Sequence, residues 1–344
     1  MQPEHTDTIT NETPAGAEPA FQESAKDCAV FTKRDQLSAT PPVPAEHFPA
    51  VRGLSTRRFE TLHRRLLPVQ AALALLAGGC WALTGLLHFD WEIGHIVSGS
   101  VWFALTLVSL LVGTGLTVFL MIPAWRTRQY RQVSVGLGET FCSFFIAAML
   151  GISALRQIYD QFTTPPASAA MINMGMLSRL AAAGMILCAL YFLVQGLGRR
   201  GKLTTTLVMG ACLGVMLVLF RDYFDFTLPL NSPLRNFSML AYAALLLFLL
   251  AETRTHVDLW YAGMPFTVLA YNAVLLLCGC TGIGQAVLAF TGRGHFQLLE
   301  EAAFIALAVL AFIRLHGLSA RIGDHVPPPP TEDEIKKMAK KARK

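Results

Sequence analysis

The residues with the clearest chemical potential are polar side chains inside long apolar runs. Glu139 is the deepest carboxylate, beside Gly136 and Gly138, and Asn272 lies at a comparable depth in a later run. A charge in a membrane span costs about 2.5–3.5 kcal/mol on insertion scales, so we predict that Glu139 faces protein rather than lipid. Glu139 and Asn272 are candidates for coupling to a proton or cation. The alternative is a purely structural Glu139, held by a neighbouring Asn, Arg or Ser.

A second set of polar residues lies near the opposite ends of these runs, and we call it the outer group. Arginine presents a rigid fork of donors that suits carboxylate or phosphate. The outer group therefore predicts either an outward-facing pocket for a small polar or anionic solute or a closed network of ion pairs. Gln285, Glu300 and Glu301 accompany it. The candidate ligand-binding residues are Arg156, Arg179, Arg221, Asp222, Asp225, Asn231 and Arg293.

The stretch from Arg221 to Pro233 reads R-D-Y-F-D-F-T-L-P-L-N-S-P and joins two apolar runs. The run before it, 204–220, has 17 residues, or about 25 Å of helix at roughly 1.5 Å per residue. A hydrocarbon core of about 30 Å requires more, so we predict that this helix continues to Asp225. Arg221 and Asp225 would then share a face at i,i+4 and form an ion pair.

Composition places these residues in a membrane protein. The 344 residues are 53% hydrophobic and 15% charged, whereas soluble proteins are about 25% charged. Eight apolar runs are long enough to span a lipid bilayer, which predicts an all-α polytopic bundle of about eight transmembrane helices. The net charge of +5 does not indicate nucleic acid, because most arginines flank the runs. The predicted helices are 67–87, 99–122, 133–155, 176–197, 204–225, 233–252, 265–290 and 298–316.

The remaining segments are polar. Residues 1–50 lack periodicity and predict a disordered cytoplasmic tail, and 317–344 predict a cytoplasmic tail that is Pro-rich and then basic. The basic segment 51–66 precedes the 67–316 membrane domain. It is either an interfacial helix on anionic lipid or a group of positive charges that keeps this end of the first helix in the cytoplasm. Fourteen basic residues lie beside one set of helix ends and five beside the other. This asymmetry predicts that both termini are cytoplasmic.

Several classes of site find no support in the sequence. There is no CxxC pair, P-loop, dinucleotide-binding glycine motif, H-E-x-x-H or G-x-S-x-G. The loop from His88 to His95 holds two histidines and two carboxylates, but its spacing matches no closed metal site. We therefore expect no cofactor and no metal. Gly210 and Gly214 are four residues apart, a spacing that lets membrane helices pack closely.

The segment from Tyr223 to Pro233, followed by an apolar helix ending Ala251-Glu252-Thr253-Arg254, carries a family resemblance. Its aromatic-Asp-Phe, Pro-Leu-Asn-x-Pro and Glu-x-Arg pattern resembles bacterial multi-pass membrane proteins of no known function. The match covers about 35 of the 344 residues. It implies a protein of the bacterial cytoplasmic membrane and assigns no catalytic residue.

These observations favour a non-enzymatic membrane protein that binds, senses or transports a small polar solute through the outer group. One alternative is a membrane enzyme acting on a lipid-linked or extracytoplasmic substrate, with Asp222 or Asp225 as the base. Another is a structural partner within a complex with a second membrane protein.

Overall fold

The computed structural model of the chain is an all-α bundle of eight helices. It describes residues 54–91, 94–125, 128–130, 136–163, 169–198, 202–224, 232–257, 261–292, 298–318 and 322–323. The predicted tail at 1–50 and nearly all of that at 317–344 lie outside these ranges. The helices are α1 (Leu54–Leu87), α2 (Val101–Ala124), α3 (Leu137–Thr163), α4 (Ala169–Gly196), α5 (Lys202–Phe224), α6 (Pro233–Val257), α7 (Met264–Phe290) and α8 (Leu298–Leu318).

The predicted fold class is confirmed. Within the described ranges, seven helices, α1 to α7, are long and apolar enough to cross a membrane. Large side chains such as Leu111, Phe141 and Phe290 are more than two-thirds exposed, as expected where helices face lipid instead of water. The chain is a multi-pass membrane protein. Helix α8 is not among the seven, and 12 of its 21 residues are buried, including three charged ones.

Helices α7 and α8 form the centre of the bundle. Helix α7 packs against α1, α2, α6 and α8, and α8 packs against α3 as well. Helix α8 contacts spanning helices near both of its ends. Near its last residue, the Leu315 carbonyl accepts from Nε2 of His63 in α1, 2.8 Å away. Near its first residue, Glu300 accepts from Ser153 of α3. Both ends of the eighth helix are therefore held by other helices.

The described part of the basic segment, 54–66, is continuous with the first spanning helix. Helix α1 begins at Leu54 and continues through Pro68 into the span. Phe59 and Leu67 are buried in the main apolar core, and His63 bonds to α8. The end of α8 thus contacts this segment, which the local sequence cannot reveal, and its binding to anionic lipid stays a hypothesis.

Short strands occur in three connections and one terminal segment. Strands β1 (Phe89–Asp90) and β2 (His95–Ile96) pair antiparallel after α1. Strand β3 (Arg128–Tyr130) lies between β4 (Tyr261–Gly263) and β5 (Ile322–Gly323) in a second antiparallel sheet. That sheet brings the α2–α3 connection, the α6–α7 connection and the segment after α8 to one end of the bundle.

Helix α7 contains a π-helical turn at Val274–Cys278. Such turns insert a residue into an α-helix and often mark functional positions. The thiol of Cys278 donates to the Ala241 carbonyl of α6, with a separation of 3.5 Å. The irregularity thus lies at a helix contact in the core, between the polar residues at the two ends of α7.

Close packing of α4 and α5 depends on Gly184 and Gly214. A Cβ atom added at Gly214 would lie 2.4 Å from the Gly184 carbonyl oxygen, a distance that no real Cβ tolerates. Gly210, the other member of the predicted pair, has only Leu187 Cδ1 nearby, at 3.4 Å from such an atom. The glycine spacing therefore serves internal packing, and Gly214 is the member in backbone contact.

Replacing Gly214 by leucine should separate α4 from α5 and destabilise the protein by about 1–3 kcal/mol or more, because the neighbour is backbone and cannot move aside. Gly210→Ala is the control in the same helix, where higher helix propensity should leave stability unchanged or slightly raised. Unfolding in mixed SDS micelles measures both. Equal effects of the two changes would contradict this account.

Candidate functional site

A buried charged group lies at one end of the bundle, and we call it the inner cluster. It consists of Glu139, Tyr191, Glu252, Tyr271 and Arg314, from α3, α4, α6, α7 and α8. Arg314 Nη1 forms a short ion pair with Glu252 Oε1, and its Nε lies 3.8 Å from Glu139 Oε2. Tyr271 donates to Glu252 Oε1 at 2.6 Å, and Tyr191 to Oε2 at 3.1 Å. One guanidinium thus joins carboxylates from two other helices.

The surroundings of Arg314 are dry and aromatic. The side chains of Arg314 and Glu252 are 4% and 5% exposed. The guanidinium carbon lies 5.3 Å from the ring centre of Phe248 and 5.9 Å from that of Tyr271, distances typical of cation–π contacts. Burying an ion costs several kcal/mol, so only well-placed partners make this arrangement stable. Each carboxylate here is therefore part of what keeps the arginine inside the bundle.

Glu139 faces protein, as predicted, and is 2% exposed. Its ion partner is Arg314 of α8. The Asn272 amide donates to the Val268 carbonyl of its own helix at 2.8 Å. The buried Asn272 Oδ1 and Ser143 Oγ have no hydrogen-bond partner among the described residues. Of the neighbours suggested for Glu139, an Asn, an Arg or a Ser, the structure thus shows an arginine, while an ion-coupling role for Glu139 or Asn272 stays a hypothesis.

At the opposite end lies an outer cluster of Ser153, Gln157, Arg221, Asp222, Tyr242 and Glu300. Glu300 Oε1 accepts from Ser153 at 2.8 Å and from Gln157, and its Oε2 accepts from Tyr242. Gln157 in turn accepts from Arg221 Nη1 at 2.8 Å. One amide side chain therefore connects the buried carboxylate of α8 to the guanidinium at the end of α5.

Arg221 pairs with Asp222, the next residue in the chain. Its Nη2 and Nε lie 2.7 Å and 2.8 Å from Asp222 Oδ1. The described part of α5 ends at Phe224. The predicted partner Asp225 lies outside the described residues, so the i,i+4 pair stays a prediction.

Two other predicted members of the outer group, Arg156 and Arg179, do not join the cluster. Arg156 and Asp160 lie 3.8 Å apart with side chains 71% and 60% exposed, so they form a surface pair. Arg179 is exposed and stacks over Phe162, with its guanidinium carbon 5.0 Å from the ring centre. Asn231 and Arg293 lie outside the described residues. Of the seven candidate ligand-binding residues, only Arg221 and Asp222 are seen in the cluster.

Sequence reasoning missed most of the neutral members of both clusters. Ser153, Tyr191, Tyr242 and Tyr271 lie within apolar runs, where serine and tyrosine attract no notice. The sequence pattern assigns Arg314 only to the basic residues that flank the helix ends. A usable signal was present, since a buried tyrosine hydroxyl normally needs a hydrogen-bond partner. Three tyrosines within apolar runs therefore indicate buried acceptors.

The two clusters are separated by an apolar layer. Glu300 and Arg314 lie on the same helix, about 21 Å apart at roughly 1.5 Å per residue. Between these levels, Ile146 and Leu150 of α3, Phe248 of α6 and Leu307 of α8 are fully buried. The structure thus has two polar ends joined by the same three helices, α3, α6 and α8.

Metal binding finds no support in the parts of the chain that are described, since no group of three or more His, Cys, Asp or Glu side chains is placed to hold an ion there. In the first loop, Asp90 is paired with His95 across the β1–β2 ladder. The contacts seen within the two clusters are hydrogen bonds and ion pairs.

The inner cluster can be tested by a double-mutant cycle. Arg314→Met strands two buried carboxylates and should cost about 3–5 kcal/mol of stability. Glu252→Gln should cost a similar amount, and the double variant less than the sum, because the two side chains share one interaction. Arg156→Met is the control, a surface pair worth about 0–1 kcal/mol. Additive losses in SDS unfolding would exclude the pair.

Comparison with protein-family models, with curated proteins and with solved structures gave no significant match. The site is therefore interpreted from its own residues.

Proposed function

We propose that this chain is a multi-pass protein of the bacterial cytoplasmic membrane that binds a small anionic solute at the outer cluster, for sensing or transport. The observation that carries this proposal is the position of Arg221. Its side chain and that of Asp222 are 16% and 17% exposed, whereas Arg314 of the inner cluster is 4% exposed. The outer guanidinium is therefore the one that a solute can reach.

The contacts of Arg221 suit anion binding. Both Nε and Nη2 point to a single carboxylate oxygen, Oδ1 of Asp222. A solute carboxylate or phosphate would offer the same guanidinium edge a second oxygen and a bidentate contact. Gln157 holds Nη1 and fixes the orientation of the fork. The site thus presents an oriented cation whose present partner is an adjacent side chain.

A structural role for the outer cluster is the second candidate. Both oxygens of Glu300 are occupied, by donors from α3 and α6. Such a network can close the bundle without binding anything. The enzyme alternative has less support, because Asp222 is engaged by two nitrogens of Arg221 and a general base must be free to accept a proton.

We further propose that the inner-cluster end faces the cytoplasm, with both termini on that side. The fourteen basic residues predicted to flank the cytoplasmic side against five at the other support this orientation. The proximity of the start of α1 to the end of α8 is consistent with termini on one side. Lipid is the surrounding partner, and a second membrane protein is a further candidate partner.

The orientation can be tested by cysteine labelling in a chain freed of its native cysteines. Leu230→Cys, in the α5–α6 connection, should react with an impermeant maleimide added outside intact cells. Gln129→Cys, in β3, should react only after the membrane is opened. The reverse pattern would exclude the proposed orientation.

Anion binding can be tested with succinate and inorganic phosphate as probes on the purified protein in nanodiscs. At least one should raise the melting temperature, because a ligand at a hundred times its Kd stabilises by about 2.7 kcal/mol. Arg221→Met should abolish the shift. Arg156→Met, which removes an exposed arginine at the same end, should retain it. If neither anion shifts the parent, or if Arg221→Met still responds, the structural role is the better account.

A further inference from the structure

The interface of α7 and α8 holds a carboxyl group outside both clusters. Glu301 and Gln285 are 5% and 3% exposed, and the two side chains face each other. Gly282 allows this approach, because a Cβ atom there would lie 3.0 Å from the Glu301 carbonyl oxygen. Gln285 lies one turn further along α7 and so reaches the Glu301 side chain. The pair is therefore positioned by close helix packing.

The amide of Gln285 lies between two oxygen atoms. One end is 2.5 Å from Glu301 Oε1, and the other is 3.5 Å from the Leu234 carbonyl oxygen. A carbonyl oxygen is always an acceptor, and an ionised carboxylate is an acceptor only. An amide has one donor end and one acceptor end, so it can donate to only one of these two neighbours. With ionised Glu301, the amide nitrogen turned towards the carboxylate donates to Oε1 at 2.5 Å and to Oε2 at 3.2 Å, and the hydrogen bond to the Leu234 carbonyl is lost.

A proton on Glu301 resolves this conflict. The Glu301 hydroxyl then donates to Gln285 Oε1, while Gln285 Nε2 donates to Leu234. The protonated acid thus keeps the hydrogen bond to the Leu234 carbonyl, which the carboxylate arrangement loses.

The charges around Glu301 favour the same state. Within the described parts of the chain, no arginine, lysine or histidine is in contact with it. Its titratable neighbours are Glu300 on α8 and the Cys278 thiol on α7. Arg221 lies on the far side of Glu300 and is already paired with Asp222. The α8 dipole favours an anion near Glu301, but this effect is smaller than the desolvation cost of an unpaired buried ion.

We propose that Glu301 is a proton-binding site, occupied in the folded protein by a proton taken from water and donated in a hydrogen bond to Gln285. Glu300, the adjacent residue, is the acceptor for the outer cluster. The two carboxyl groups therefore divide the roles of proton carrier and anionic acceptor. Coupling of this proton to solute binding rests on the proposed function, whereas the proton itself does not.

Infrared spectroscopy of the solute-free protein in nanodiscs at neutral pH tests the assignment. The parent should show the carbonyl stretch of a protonated, buried carboxyl group. Glu301→Gln should remove that band, and Glu300→Gln, the matched control, should retain it. Gln285→Leu should shift the band by removing the acceptor. A parent without the band, or a band that Glu301→Gln leaves intact, would overturn the proposal, as would loss of the band in Glu300→Gln alone.

Stability provides a second readout. The unfolded chain releases the Glu301 proton above about pH 4.3, while the folded protein retains it. As the pH rises above this value, the unfolding equilibrium constant of the parent should increase by up to about tenfold per pH unit relative to that of Glu301→Gln. If the ratio of the two unfolding constants does not change above about pH 4.3, proton retention is contradicted. Neither readout uses a solute, so failure of the anion probes and failure of the proton assignment are distinguishable.

Discussion

The structure depends on the cost of keeping a guanidinium out of water. Arg314 lies in the bundle interior, where an isolated ion would be strongly disfavoured. Glu252, Glu139 and two tyrosines surround it, and each comes from a different helix. The electrostatic requirement of one side chain thus fixes how α3, α4, α6, α7 and α8 meet at this end. Apolar packing alone, between helices that also contact lipid, would specify that meeting point less strongly.

The outer cluster also holds a polar side chain out of water, the carboxyl group of Glu300, but it does so with neutral hydrogen-bond donors. Glu300 is surrounded by neutral donors from Ser153, Gln157 and Tyr242, and Gln157 connects it to Arg221. A carboxylate bound by neutral donors is less strongly held than one paired with arginine. The inner end is thus the tightly closed one. The outer end, with Arg221 partly exposed, is the one suited to exchange its partners.

Helices α3, α6 and α8 carry residues of both clusters, and an apolar layer separates the two levels. The π-helical turn of α7 lies between the levels, beside Asn272 with its unsatisfied amide oxygen. The three shared helices therefore fix the distance between the two clusters.

The sequence by itself determined where the eight helices lie, because the length and hydrophobicity of an apolar run are local properties of the chain. The burial of Glu139 also followed, since the cost of a lipid-facing carboxylate depends on little else. The partners could not be predicted in this way. Glu139 meets Arg314 from a helix far along the chain, and Arg221 meets both Asp222 and Gln157 of another helix.

Only the tertiary structure decided which polar residues come together, because helix rotation and crossing bring together side chains that no spacing relates. Tyrosines hidden in apolar runs became the donors of both clusters, and exposed Arg156 and Arg179 were left outside them. Helix packing also explains why His63, in the basic segment at the start of α1, is buried against α8. Local sequence determines which polar side chains each helix carries, and helix packing determines which of them come into contact.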